Sequence, residues 1–432
     1  MAGALVNALG ASAATADAFS DKATLRHMLR FEAALAKAVA DAGLIPAKHA
    51  ATIAAACDAA LYDPAPLAEA ARRTATLTVP VVKALTAEVA RRDKDAADYV
   101  HWGATSQDVL DTAMVLQLGE ALPPLLKDID AIVDAFARLA KKHRATPMLG
   151  RTLLQPAKPL ALGQKIAGWA SDLDRARRRL ADSFHETQIV QFGGASGSLS
   201  ALGTKAEAVM TVLAQELQLA LPPAPWFTQR VRVAALAQDI ALVCGALGKA
   251  ARDISLMMQI EVGEAAEPSG PGRGGSSTMP HKRNPVGAAL TLAAANRAPP
   301  LAATIVAGMV QEHERALGGW QSEWPTLAAL CETLGSAVEA MKEVASGLAI
   351  DSDAIQANMD SSEAAVFAER ATFLLAETMG KQKAAALVEQ ALAKGGSFLD
   401  ALGQLEKELA DERSLLGYSP RFVDRLLRTL KR

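Results

Sequence analysis

The run QRVRVAALAQDIALVCGALGKAARDISLMMQIEVGEAAE (229–267) decides the fold. Leu236, Ile240, Val243, Leu247, Ile254 and Met257 recur at three- and four-residue steps, while Arg252, Asp253 and Glu261 fall largely between them. Apolar residues at that spacing share one face of an α-helix. At 1.5 Å per residue a helix of this length extends about 60 Å. Similar patterns occupy roughly 107–144, 157–190, 286–314 and 325–348, with Pro123-Pro124 expected to kink the first. Helices far beyond the usual three or four turns point to a bundle. Gly163, Ala167, Gly245, Gly248, Ala288 and Ala289 permit close helix approach. Faces apolar over so much of their circumference are expected to bury against other subunits too.

Shorter helical patterns flank this middle. Gly43, Pro46, Pro64, Pro66 and Pro80 punctuate the first region, and Gly380, Gly395-Gly396 and Gly417 the last. Aromatics are 4% of residues and β-branched residues seldom alternate with polar ones, so strand signals are nearly absent. The expected architecture is all-α in three regions, 1–105, 106–348 and 349–432, with five long helices in the middle.

Of 432 residues half are apolar and 21% charged, as in a globular chain, and the net charge is −2. That balance argues against nucleic acid or a membrane surface as the main partner, so an anionic ligand needs a local cluster of cations. Cys57, Cys244 and Cys331 are scattered and odd in number, which suits a reducing, cytoplasmic setting with no disulfide frame and no metal site. The N-terminal stretch lacks the basic and sustained apolar segments of a signal peptide. No uncharged apolar run reaches the roughly 20 residues of a membrane span.

Polar residues gather at four places: VHWGATSQD (100–108), GRTLLQPAKP (150–159), GRGGSSTMPHKRNP (272–285) and QEHERALGGWQSEW (311–324). Each lies at the end of an expected helix, where free N–H groups and loop hydroxyls meet anions. Simpler readings exist. Thr105 and Ser106 suit a helix N-cap with Asp108 in its first turn. The 150–159 stretch fits an ordinary loop ending in helix-start prolines. His101 fits an interior histidine, Arg315 a solvated cation beside Glu312 and Glu314, and GGASGS (193–198) a turn. The 272–285 loop resists such a reading, because a linker has no need of Ser-Ser, Pro-His-Lys and Asn-Pro in succession.

That loop, GGSSTMPHKRNP, resembles the signature loop of the fumarase/aspartase superfamily. TSQD and GRTLLQPA are similar to its other two active-site segments, in the same order, so the resemblance covers essentially the whole chain. It implies homotetramers with a core of twenty long helices, and active sites each assembled from three subunits. It also implies C–N or C–O bond chemistry β to a carboxylate, without a cofactor. Ser276 is then the proton-transferring loop serine, and Lys282 and Asn284 bind the activated carboxylate. Thr105, Ser106, Thr152 and Gln155 bind the others, and His101 and Arg315 supply charge and orientation.

Two departures narrow the chemistry. Members that eliminate amines or water carry a histidine and a glutamate where this chain has Leu153 and Ala289, and an orphaned buried charge there would be costly. Nucleotide-cleaving members carry a phosphate-binding arginine where this chain has Trp324. A leaving carboxylate needs no proton, so the expected reaction is lactone formation on a small tricarboxylate diene. The alternatives are a fumarate-releasing C–N lyase and a silent scaffold member.

Overall fold

Alanine and leucine at helical spacing dominate the built structure as they dominate the sequence. The computed structural model describes residues 8–270, 273–275, 282–393, 398, 400 and 415–430. The N-terminal helices are α1 (Ala13–Ala18), α2 (Asp21–Asp41), α3 (Ala47–Ala56), α4 (Pro64–Thr74) and α5 (Thr78–Arg92). Five longer segments then include α6 (Ser106–Lys142), α7 (Leu162–Thr187), α9 (Val231–Met257), α10 (Val286–Ala307) and α11 (Gly319–Gly347), with the short α8 (Ala206–Leu217) between α7 and α9. Helices α12 (Ser352–Asp360), α13 (Glu363–Met379), α14 (Lys381–Ala393) and α15 (Ser419–Thr429) follow. The fold is all-α, and Pro123-Pro124 lies inside a continuous α6.

Two compact units emerge. One comprises Met1–Lys127, Arg177–Gly245 and Ala294–Ala337; the other comprises Asp128–Ala176, Ala246–Ala293 and Val338–Arg432. Every boundary falls inside one of the five long helices. The first unit's core packs Leu29 and Phe31 of α2, Ile53, Leu85, Val109, Phe192 and Leu213. The second unit includes a cluster of Leu149, Val366, Phe367, Ala371 and Val388. Helices α6 and α9 are apolar and long enough to span a membrane by composition alone, yet 78% and 56% of their apolar windows are buried inside the fold.

The expectation for 150–159 needs correction. Strands β1 (Pro147–Thr152) and β2 (Gln155–Ala161) form an antiparallel hairpin, with a register irregularity at Leu149/Gly150. A second, minimal pair joins β3 (Ala265–Ala266) to β4 (Ala349–Ile350). Pro156 and Pro159 sit in β2 rather than at a helix start, and α7 begins only at Leu162. A two-stranded ribbon has an unpaired edge on each strand, which is where proline is tolerated. Gly150 is demanded by close approach, since a Cβ there would lie 2.3 Å from the Lys158 carbonyl oxygen.

Candidate active site

In the first unit the site is organised by a buried carboxylate. Asp108, in the first turn of α6, accepts hydrogen bonds from the backbone N–H of Thr105 (3.0 Å), Gly193 (2.8 Å) and Gly194 (3.0 Å), and from Gln191 Nε2 (3.2 Å). A third-position side chain reaching back to the N-cap amide is half of a capping box. Burial pushes the Asp108 carboxyl up to about 7, and its N–H donors oppose that rise. All four neighbours are donors, so the carboxylate is the form the loop is shaped to hold. Because Asp108 does the capping, the half-buried Thr105 and Ser106 keep hydroxyls with no described partner. Thr78 Oγ1 fixes the start of α6 by donating to the Ser106 carbonyl at 2.9 Å.

His101 is largely buried and paired through Nδ1 with a buried carboxylate, as the interior reading expects on that side of the ring. Its φ is 60°, a left-handed conformation that histidine adopts more readily than most residues. Nδ1 lies 2.6 Å from Oε1 of Glu32 on α2, and Glu32 is buried. Burial lowers the imidazole's pKa, but the charge and hydrogen bond of Glu32, joined by Asp108, outweigh it and leave it raised.

Arg315 is not a solvated cation. Its Nη2 donates to the Ala195 carbonyl at 3.1 Å, and its guanidinium lies 5.4 Å from the Phe227 ring centroid. The GGASGS segment is indeed a turn, but it ties the site together: Asp108 binds its glycines and Arg315 its alanine. Gly194 has φ 68°, and a Cβ there would come 2.8 Å from the Gly103 oxygen.

A fully buried ion cluster underlies this corner. Arg230 donates to Asp111 (2.7 and 3.2 Å) and through Nε to Glu323 (3.0 and 3.1 Å), with a further short bond from Nη2 to Glu323. Trp320 Nε1 and Gln107 Nε2 donate to Asp111, and Gln311 Nε2 to Glu323. Burial pushes Glu323 up despite Arg230. Such a cluster fixes the start of α6 and α11 relative to Arg230. Between one and three turns along α6 from Ser106, Leu110, Met114 and Gln117 line a cavity of ≈530 Å³ with Arg72, Leu77 and Trp324. Sequence reasoning missed Glu32, since it sits in an ordinary amphipathic helix with no motif around it.

The second unit carries the other segments. Thr152 and Gln155 face each other across the hairpin, and Leu153 and Leu154 form its tip with φ of 50° and 66°. Both φ values are positive, as a two-residue type I′ turn requires, yet the residues are leucines rather than Asn-Gly. Leu153 is 97% exposed and Leu154 77%. Arg151 anchors the hairpin by a two-pronged bond to Glu264 (2.7 and 3.0 Å), which Asn358 also contacts. Ala289 is exposed as well, so within one chain neither position lacking the His–Glu pair is buried. A burial penalty there requires cover from outside the chain.

At the signature loop, Ser276 and His281 lie outside the described residues. Its base is pinned: Asn284 N–H donates to the Gly274 carbonyl at 2.9 Å. Glu267 accepts from the N–H of Gly287 (2.9 Å) and Ala288 (2.7 Å), occupying the N-terminus of α10, and Arg273 bridges Glu267 and Glu343. Lys282 is exposed and Asn284 half-buried. Thus His101, Thr105, Ser106 and Arg315 are gathered in one unit around Asp108 and the 193–198 turn. Thr152 and Gln155, and Lys282 and Asn284, belong to the other.

Residues 9–299 match the model of a lyase family. The chain is 48% identical over 436 residues to the 3-carboxy-cis,cis-muconate cycloisomerase of Bradyrhizobium diazoefficiens, covering 98% of this chain and 97% of that protein. The chain belongs to the fumarase/aspartase superfamily. The crystal structure of the 3-carboxy-cis,cis-muconate lactonizing enzyme from Pseudomonas putida superimposes with a TM-score of 0.93 at 42% identity, over 99% of this chain and 98% of that one. The superfamily's other chemistry is represented by a nitrosuccinate lyase of Streptomyces davaonensis, 39% identical over 94% of this chain and 91% of that protein.

Proposed function

We propose that the chain converts 3-carboxy-cis,cis-muconate to 4-carboxymuconolactone as a cofactor-independent cycloisomerase. The observation that carries this reading is end-to-end similarity to cycloisomerases of that name, at 48% identity. One carboxylate of the substrate adds to its own double bond, forming the C–O bond of a γ-lactone. The electron pair of that double bond takes a proton at the carbon α to another carboxylate. Ser276 delivers the proton, and Lys282 and Asn284 stabilise charge developing on the adjacent carboxylate. Thr105, Ser106, Thr152 and Gln155 hold the remaining carboxylates, and His101 and Arg315 add charge and orientation. Fixing both ends of the diene converts ring closure into an oriented, intramolecular step. Trp324 stands where nucleotide-cleaving members of the superfamily carry a phosphate-binding arginine, which disfavours a nucleotide-cleaving lyase.

The working form is a cytoplasmic homotetramer with each site shared by three subunits. Exposed Leu153, Leu154, Leu242 and Ile260 support it, because apolar side chains exposed at a hairpin tip, on α9 and in the turn after it need cover. The decisive assay follows ultraviolet loss of the diene for 3-carboxymuconate, beside fumarate release from adenylosuccinate and argininosuccinate. Ser276→Ala should lower kcat by roughly 10²–10⁴-fold with little change in KM. Near wild-type kcat in that variant would remove Ser276 as proton donor, and appreciable fumarate release by the wild type would overturn the reaction assignment. Inactive Ser276→Ala and Thr152→Ala chains, mixed, should regain partial activity; a monomer at micromolar concentration would sink the shared site.

A further inference from the structure

We infer that Glu32 is a positioning residue of the proposed site, orienting His101 and holding it as the cation that meets a substrate carboxylate at Thr105 and Ser106. This rests on the polycarboxylate reading of the site. Glu32 sits on α2, outside every motif, and is 1% exposed. Its Oε1 contacts His101 Nδ1 at 2.6 Å, while its Oε2 is buried without a hydrogen-bond partner. An ionised carboxylate so enclosed, with one strong contact, is best stabilised when that contact carries positive charge.

The surroundings agree. The charged groups bearing on the imidazole are Glu32 from α2 and Asp108 from α6, both acidic. Cys57, just past α3, senses Glu32 and is itself pushed up by burial and then by that charge, so it brings no counter-cation. With Nδ1 committed to Glu32, the other ring nitrogen, Nε2, is the one left to donate, and no described residue takes it. The ring keeps 19% of its surface exposed, four residues before Thr105. The left-handed backbone at His101 is also the sort of strain that persists where surrounding contacts enforce it. A purely structural ion pair would explain the contact but not an open ring donor in the same loop as two hydroxyls without a described partner.

The test uses the full chain with ¹³C-labelled histidine. In Glu32→Gln, the His101 titration midpoint should fall by roughly 1–3 pH units. KM for 3-carboxymuconate and the Kd for tricarballylate, a saturated tricarboxylate, should rise about tenfold or more while kcat moves little. The alkaline limb of kcat/KM should shift down with the midpoint. Glu32→Asp should restore part of both effects and serves if Glu32→Gln folds poorly. An unmoved His101 midpoint would overturn the pairing. A moved midpoint with unchanged KM, Kd and pH profile would reduce the pair to a structural one and overturn the inference. Should the wild type fail to lactonize 3-carboxymuconate, the function assigned above falls. The histidine titration and tricarballylate affinity would then still decide the role of Glu32.

Discussion

The two units treat their site segments in opposite ways. In the first, the polar groups around residues 100–108 are tied down inside the chain: Asp108 takes four donors, Arg315 rests on the 193–198 turn, and Arg230 joins two buried carboxylates. In the second, Thr152, Gln155 and Lys282 are exposed, and the hairpin between the first two ends in two exposed leucines. Anchors exist there too, but they hold the bases of the hairpin and loop, through Arg151–Glu264 and Asn284–Gly274, rather than their tips. One region is preorganised by its own chain; the other is presented outward, as the proposed shared site would require. On the proposed assembly, the difference makes the first unit's residues sensitive to single buried substitutions and the second's to subunit contacts.

The strongest blow to that contrast should be Arg230→Met. It leaves Asp111 and Glu323 facing each other in a sealed interior, and breaking such a cluster costs roughly 3–5 kcal/mol. Chemical denaturation should show that loss, with activity falling as folded protein is lost. An equally stable variant would mean that the cluster is not what fixes the start of α6. Next in size is Asp108→Asn. The amide keeps one oxygen for two of the four donors and turns its NH₂ toward the others, a loss of roughly 1.5–3 kcal/mol in all. Because Thr105 and the turn that carries Arg315 hang on this group, KM should also rise. A stable variant with unchanged KM would break the proposed link between the turn and the site.

How far these features could be read in advance follows the same division. The long helices were legible because their apolar period persists over many turns, as at Leu236, Ile240, Val243 and Leu247. Their ends agree with the structure to within several residues at most sites, but α9 stops at Met257, short of the run that suggested it. Thr105, Ser106 and Asp108 were legible as a helix start, although which of them caps could not be read from type alone. The hairpin was missed because Pro156 and Pro159 mimic a helix start, and only the pairing of Thr152 with Gln155 reveals strands. Glu32 left no trace at all. A glutamate on an amphipathic helix reads as solvent-facing until a partner 69 residues away is brought against it.

A smaller effect, of opposite sign, is expected at the hairpin tip. Leu153 and Leu154 both occupy the left-handed region, at a cost on the order of 1–3 kcal/mol each in general. Replacing the pair by Asn-Gly supplies the residues that a type I′ turn prefers. Thermal stability of the isolated chain should rise modestly, whereas kcat/KM should fall if the leucines face the substrate or a neighbouring subunit. Stability and activity rising together would mean that the leucines serve neither. The single change Leu153→His should hardly alter stability at a position 97% exposed in the chain, yet should lower lactonization.

The smallest effect, and the most selective, concerns pH. His101 has its pKa raised above the ordinary 6.5 by Glu32 and Asp108 against the opposing effect of burial. A histidine raised in the folded state lends stability that is fully present below its unfolded value and lost as pH rises through the folded value. The contribution should therefore fade on the alkaline side of 6.5, at the 100–108 loop. His143, just past α6 in the second unit, behaves in the opposite sense: burial lowers it, so its effect is a loss of stability as pH falls below 6.5. His27 on α2 is lowered too, by burial, and adds to the acid-side loss in the first unit. Amide hydrogen exchange, corrected for its intrinsic pH dependence, separates these contributions by location. Between pH 6.5 and 8.5 protection at Gly103, Ala104 and Thr105 should decline while that of Met148 and Leu149 in the hairpin holds. In Glu32→Gln the decline should vanish, because the state that favoured the charged imidazole is gone. Protection that stayed flat in the wild type, or weakened equally in both regions, would show that His101 does not hold the loop through its charge.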